Sequence, residues 1–443
     1  MKHLKYNSLI LLALLLSATL LLSACGTAAT PSSEKTDSTS GSLTTPDATS
    51  TASTNHAGNS DNDSVAAPSE DSEQSEAFSN RDLSGDYDSS EAVSISLNGS
   101  GASASSDGVQ ISGSTVTITA AGTYVLSGTL DNGSIIVNVS KDDKVQLVLN
   151  GVEINADTFA AIYVAQADKV FITLAEGSVN TLSNGGSFKA IDDNKVDAVI
   201  FAKDDFTLNG SGKLVVTSPA GHGIVGKDEV TITGGVYEIS SAKCAIRGKD
   251  SIAIAGGSFT IKAGTDGLHA ENDDDKRLGN IYIAGGSFTI TAGDDAIHAN
   301  TLLQIDGGEI SISAAEGLEA TYVQINGGDI SISASDDGVN AANKSSAYTP
   351  TFEMNDGTLT IVMGQGDTDG IDSNGNVIVN GGTINVTGQS SFDYDGSAQY
   401  NGGTIIVNGQ QVTAIPNQFM GGMGGNGNTG RNGNTGGNGG RRR

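Results

Sequence analysis

Apolar residues recur at every second position in short runs: Ser258-Phe259-Thr260-Ile261, Ser287-Phe288-Thr289-Ile290, Glu309-Ile310-Ser311-Ile312, Asp329-Ile330-Ser331-Ile332 and Thr383-Ile384-Asn385-Val386. A period of two is that of a strand with one buried face. Each run follows a glycine pair or a near relative of one, ending at Gly235, Gly257, Gly286, Gly308, Gly328, Gly357, Gly382 and Gly403, so the base period is about 21 residues. A second short strand follows in each repeat, as in Asp266-Gly267-Leu268-His269-Ala270, Asp295-Ala296-Ile297-His298-Ala299 and Asp337-Gly338-Val339-Asn340-Ala341. A third carries pairs such as Ile252 and Ile254, Ile281 and Ile283, and Val377 and Val379. Three strands per repeat, with no helical pattern between them, predict an all-β solenoid: a right-handed single-stranded parallel β-helix of about 14 coils of about 21 residues. A β-sandwich, the alternative, does not call for glycine pairs at a fixed period.

The pattern fails at both ends of the chain. Residues 1–24 hold Lys2, Lys5 and an apolar run from Leu9 to Leu22, closing on Leu22-Ser23-Ala24-Cys25, which reads as a lipoprotein signal peptide with Cys25 as the lipidated residue. Residues 25–91 are rich in Ser, Thr and acids with few apolar residues, as in a disordered acidic tether. Residues 92–419 form the repeat body, with Val93–Gly133 and Thr404–Pro416 expected to close its two ends, and residues 420–443 are a flexible Gly/Asn tail. The expected location is the extracellular face of a bacterial cell membrane, held by lipid on Cys25 alone.

Composition narrows the partners. The 443 residues carry a net charge of −28, most of it on the body, which repels nucleic acid and anionic lipid and attracts cations. Two cysteines, one of them in the leader, leave Cys244 alone and exclude a disulfide framework. A monomer is expected.

Stacking turns the repeat alignment into a map of side-chain columns about 4.8 Å apart. The first reads His222, Cys244, Asp266, Asp295, Glu316, Asp337, Asp369, with Asp294, Asp336 and Asp367 beside it; the outward column next to it reads Val225, Arg247, His269, His298, Glu319, Asn340, Asp372. Unit charges at that spacing repel by about 0.9 kcal/mol even in water. Calcium accepts six to eight oxygens in loose geometry and resolves the conflict, so the predicted Ca²⁺ ligands are Asp266, Asp294, Asp295, Glu316, Glu319, Asp336, Asp337, Asp367, Asp369 and Asp372. The bland alternative is a solvated acidic ridge. Asp367 to Asp372 has the flavour of an EF-hand loop, but Ile371 occupies its third acidic position and no helices flank it. His269 and His298 read as polar groove lining rather than as ligands of a transition metal, because no Cys or third His joins them in the pattern. Basic residues are scarce. Lys203-Asp204, Lys227-Asp228 and Lys249-Asp250 recur as turn pairs, and Arg247, Lys249, His269 and His298 are the candidate substrate-binding residues. Insertions at Glu271 to Gly279 and Asn343 to Thr351 interrupt the same junction in two coils and are placed to wall a groove.

The strings Ala121-Gly122-Thr123-Tyr124-Val125-Leu126-Ser127-Gly128, Val145-Gln146-Leu147-Val148-Leu149-Asn150-Gly151 and Ile246-Arg247-Gly248-Lys249-Asp250-Ser251, with the D-G-I columns, resemble the carbohydrate-binding domain-containing family of bacterial surface lipoproteins over residues 93 to 420. The resemblance implies a calcium-binding right-handed parallel β-helix related in shape to pectate lyases, one that binds acidic plant polysaccharide such as polygalacturonate, and cellulosic material, without cleaving it. His222 and Cys244 stand where carboxylates are expected. The leading expectation is therefore calcium-dependent, non-catalytic binding of an acidic polysaccharide. A polyuronate lyase with Lys249 or Arg247 as base is the first alternative, and a calcium-stiffened adhesin or stalk is the second.

Overall fold

The computed structural model describes residues 77–365 and 368–417. The leader, Cys25, most of the tether, Asp367 and the tail lie outside them. The described residues from Asn80 onward form one compact unit. It is all-β, a long and mostly parallel sheet with a single four-residue helix among the described residues.

The chain passes through three ladders in turn and then returns to the first. The glycine-led ladder runs through Lys213–Ser218, Val236–Ser241, Ser258–Ala263, Ser287–Thr291, Glu309–Ala314, Asp329–Ala334, Thr358–Met363, Thr383–Thr387 and Thr404–Val407, each parallel to the next. The second, here the carboxylate ladder, joins His222–Gly226, Ile246–Gly248, Leu268–Ala270, the first parts of Asp295–Ile305 and Glu316–Ile325, Val339–Ala341 and Asp369–Ser373. The third joins Glu229–Ile232, Ser251–Ile254, Asn280–Ile283, the remainders of the two long strands, Thr351–Met354 and Asn376–Val379. Strand pairing therefore follows the sequence repeat, with one register shift between Ala299 and Leu302 where the two long strands pair.

This register puts like side chains on like. Tyr237, Phe259 and Phe288 stack inside the glycine-led ladder with ring centroids 4.9 and 4.6 Å apart, and Ile310, Ile330, Leu359 and Ile384 continue the column, all buried. Parallel strands need every corner to repeat, and glycine supplies it. Gly308 has φ +107°, and a Cβ there would lie 2.8 Å from the carbonyl oxygen of Gly286, so both conformation and stacking forbid a side chain. Before the glycine corners from Gly308 onward an amide ladder runs along the stack, with Asn326, Asn355, Asn380 and Asn401 each donating from Nδ2 at 2.7 Å to the preceding member, which for Asn326 is Asp306 Oδ1.

The ends close as the pattern suggests. Val109–Ser112 pairs antiparallel with Thr115–Ile118 at one end, and Thr404–Val407 with Gln410–Val412 at the other. The tether boundary differs. The sequence reading runs the tether to residue 91, yet Asn80–Leu83 is a helix against the body, its Asp82 buried, paired to Lys169 at 2.7 Å and accepting from Thr207 Oγ1 at 2.5 Å. Polar contacts hold this segment: besides the Asp82 carboxylate, the Asp82 carbonyl accepts from Asn209 Nδ2 and Thr233 Oγ1, and Arg81 Nη2 donates to Gln146 Oε1, so hydrophobic periodicity carries no trace of it.

The aromatic column should dominate local stability. We expect Phe288→Ala to cost about 3–5 kcal/mol in chemical denaturation, since Phe259 loses its stacked neighbour and a cavity opens in the stack. A loss under about 1 kcal/mol would mean that the column does not bear on stability.

Candidate functional site

The carboxylate ladder begins each strand at a tight corner. At Asp337 the following glycine is required: a Cβ at Gly338 would meet the carbonyl oxygen of Gly370 at 2.5 Å and Ile361 Cγ2 at 2.6 Å, whereas Asp295 is followed by Ala296. Both predicted columns exist as aligned. Asp295 pairs with Glu316 directly, and His269, His298, Glu319, Asn340, Asp372 and Asp393 follow one another in register. Asp294 and Asp336 are exposed beside them, whereas Asp266 and Asp295 are buried.

Chemistry changes along the column. In the middle coils the protein provides its own cations. His298 Nδ1 lies 2.7 Å from Asp295 Oδ2 and 2.6 Å from Glu319 Oε2, and Lys344 Nζ lies 2.7 Å from Glu319 Oε1. Burial opposes the charged imidazole, but the two carboxylates outweigh it and lift His298 to about 10. Burial likewise opposes the Glu319 anion, and His298 and Lys344 outweigh it, taking Glu319 down to about 2. One coil earlier His269 stacks on His298 with centroids 4.6 Å apart, its Nδ1 2.7 Å from Asp266 Oδ2 and its Nε2 3.3 Å from Glu271 Oε2.

Further along, no Lys, Arg or His forms an ion pair with Glu316, Asp337 or Asp372 among the described residues. Burial, reinforced by the charge of Glu319, pushes Glu316 up to about 8. Burial and the charges of Asp372, Asp336 and Asp369 push Asp337 up to about 7, and burial with Asp369 and Asp393 brings Asp372 to about 6. These are hard oxygen donors, partly desolvated, one coil apart and short of positive charge, a donor set that suits Ca²⁺. Two sets of three side chains converge to within 4.8 Å in their ligand atoms among the described residues, Cys244 with Asp266 and His269, and Asp295 with His298 and Glu319. Neither is all-carboxylate.

The cations singled out from the sequence are engaged within the protein. Arg247 Nη2 donates to Glu271 Oε2 at 3.2 Å and Lys249 Nζ to Asp274 Oδ2 at 2.6 Å, both acceptors lying in the first insertion. Lys203, Lys227 and Lys249 do follow one another in the stack, but Lys227 sits over the Phe201 ring at 5.6 Å instead of pairing with the Asp beside it in sequence. The two insertions touch, Ser345 Oγ donating to the Lys276 carbonyl. A shallow groove of about 470 Å³ lies elsewhere, across the corner just before the acidic column. Thr291 to Gly293, Ser313 to Ala315, Ser333 to Ser335 and Val362 to Gly364 line it, one segment from each of four coils, and the next residues in the first three are Asp294, Glu316 and Asp336. Sequence reading missed this groove because it is made by the absence of bulk at the corner; the small residues at matching positions were the available signal.

A family described as "Carbohydrate-binding domain-containing protein" matches residues 112–370 and 320–415. A protein of that description from Acetivibrio thermocellus is 40% identical over 131 residues, 29% of this chain and 46% of the relative, so the match spans under half of the relative's length. A solved structure of a polysaccharide lyase-like protein from C. thermocellum, a gadolinium derivative, is 33% identical, covers 54% of this chain and 94% of its own, and superposes with a TM-score of 0.49.

The raised carboxylates fix the sign of a pH dependence. Glu316 and Asp337 hold protons in the folded chain that the unfolded chain releases near pH 4, so their contribution is present at low pH and is lost as pH rises through about 7 to 8. His298 acts in the same direction at higher pH, lost as pH rises towards about 10, while the Glu319 contribution is present above its unfolded value and lost only as pH falls towards 2. In chelator-treated protein we expect the melting temperature to fall from pH 4.5 to 8, and Glu316→Gln to recover about 1–2 kcal/mol at pH 8, a figure discounted for its solvent exposure. Wild-type stability that rises over that interval would contradict this assignment.

Proposed function

Since the chain belongs to the carbohydrate-binding domain-containing protein family, we propose that it binds an acidic polysaccharide of the polygalacturonate type through bridging calcium, without cleaving it. The observation that carries the reading is the carboxylate edge of Glu316, Asp337 and Asp372, with no Lys, Arg or His paired to it among the described residues, alongside an open groove that crosses four coils. The coil spacing of about 4.8 Å is close to the length of one pyranose unit, so an extended uronate chain lying along the stack would place successive sugars beside successive coils. A protein edge and a polyuronate are both anionic, and a divalent cation between them neutralises both. Glu316, Asp337, Asp369 and Asp372, with Asp336 at the groove, would hold calcium, which supplies the positive charge and the open coordination positions for sugar carboxylates.

Ionic recognition also suits the low aromatic content, 5% with no Trp. Non-catalytic binding is favoured over lysis because Arg247 and Lys249, the bases that a lyase reading requires, are each tied to a carboxylate of the insertion. In the fuller picture the stack is a right-handed parallel β-helix, as the crossover preference of parallel strands dictates, presented outside a bacterial cell on a tether acylated at Cys25.

Retention of polygalacturonate and of its methyl ester, with calcium and with chelator, tests the reading. We expect only the free acid with calcium to be retained, retention to fall with added salt, and Asp337→Asn with Glu316→Gln to weaken it by about tenfold or more. Equal retention of both polymers overturns the ionic mechanism, and unsaturated ultraviolet-absorbing product from wild type replaces binder with lyase.

A further inference from the structure

At its N-terminal end the carboxylate column changes from oxygen to sulfur and nitrogen donors. His222, Cys244 and Asp266 occupy consecutive coils, and His269 reaches back from three residues beyond Asp266. Cys244 Sγ donates to Asp266 Oδ2 at 3.3 Å, the same oxygen lies 2.7 Å from His269 Nδ1, and the three ligand atoms are all within 4.8 Å of one another. We propose that Cys244, Asp266 and His269 form a binding site for a borderline-soft divalent transition metal, zinc foremost, distinct from the oxygen-donor edge proposed above for calcium.

The donor types select the metal. A thiolate with an imidazole and a carboxylate is a set for Zn²⁺ and its neighbours in the first transition row, and a poor one for Ca²⁺, which takes oxygen alone. The spacing suits it as well. Two ligand atoms on a tetrahedral zinc, with bonds of about 2.0–2.3 Å, stand about 3.3–3.5 Å apart. The sulfur-to-oxygen distance already has that value, and the oxygen-to-nitrogen distance opens by about half an ångström when the metal replaces the proton between them.

The surroundings of the cluster also bear on a ligand. One coil before Cys244 in the same column, His222 is 6% exposed and its Nδ1 is a buried nitrogen with no hydrogen-bond partner, outside the three donors that converge, while Nε2 lies 3.6 Å from Asp197 Oδ2. On the other side, Glu271 Oε2 faces His269 Nε2 at 3.3 Å and is itself held by Arg247, the outer carboxylate that orients a metal-bound histidine through its second nitrogen. The Asp295, His298 and Glu319 cluster is a poorer host, because Lys344 already places a cation on Glu319.

The test titrates the chelator-treated full chain, carrying Cys25→Ser so that Cys244 is the one thiol, with Co²⁺ and with Zn²⁺ in excess Ca²⁺. We expect a single equivalent of Co²⁺ to give a thiolate-to-cobalt charge-transfer band, which Zn²⁺ bleaches and Ca²⁺ leaves alone. Cys244→Ser should abolish the band, and Cys244→Ser and His269→Gln should each weaken Zn²⁺ by about tenfold or more, with polygalacturonate retention unchanged in Cys244→Ser. Should Cys244→Ser lose its β-sheet circular dichroism, His269→Gln on the intact thiol carries the comparison. Absence of the band in the folded parent, or Zn²⁺ affinity indifferent to Cys244 and His269, overturns the site and leaves the three residues as a buried hydrogen-bonded knot.

Discussion

In-register parallel pairing between coils is the constraint from which the rest follows. Because each strand hydrogen-bonds to its counterpart one repeat away, every position in the repeat is multiplied into a column about 4.8 Å in period. For apolar positions that is favourable without qualification, and Tyr237, Phe259 and Phe288 stack almost face on face inside the glycine-led ladder. Asparagine also profits, since its amide is both donor and acceptor and the chain Asp306, Asn326, Asn355, Asn380, Asn401 satisfies itself. A carboxylate only accepts, so a column of them accumulates repulsion that the backbone cannot relieve by moving apart.

The column meets that repulsion in different ways along its length. At its start the outward neighbours Tyr163, Phe201 and Val225 are apolar and buried against Phe159 and Val196, and no acid stands in the column. At Asp295 and Glu319 a protonated histidine and Lys344 fill the gap. At Glu316, Asp337 and Asp372 no Lys, Arg or His is paired to the acids among the described residues, and at Cys244 a sulfur donor stands in the column. One repeated corner thus offers several chemistries, set by which residue each coil places at two positions three apart.

Much of this was legible in the sequence because translation along the stack preserves spacing. The glycine pairs at about 21 residues and the alternation of Phe259-Thr260-Ile261 specify strands, register and columns together, and the register holds through the 29-residue repeats because the extra residues of Glu271 to Gly279 are looped outside the ladders. What sequence could not convey are contacts between residues unrelated by the repeat. Asp82 reaches Thr207 across 125 positions, Glu271 and Asp274 of an insertion capture Arg247 and Lys249, and Cys244 meets His269 around a corner, although the pattern places those two in different columns. Each of these is a polar side-chain contact whose partner no periodicity announces.

The central claim is that the acidic edge of the stack is completed by calcium. It is tested most directly by thermal unfolding at pH 8 in calcium and in chelator, for wild type and for Asp337→Asn. A cation bound only by the folded stack adds RT ln(1 + [L]/Kd), about 2.7 kcal/mol at a hundredfold excess over Kd, so wild type should melt at a clearly higher temperature in calcium and the variant should lose most of that gain. Superimposable wild-type melts in the two buffers would contradict the account.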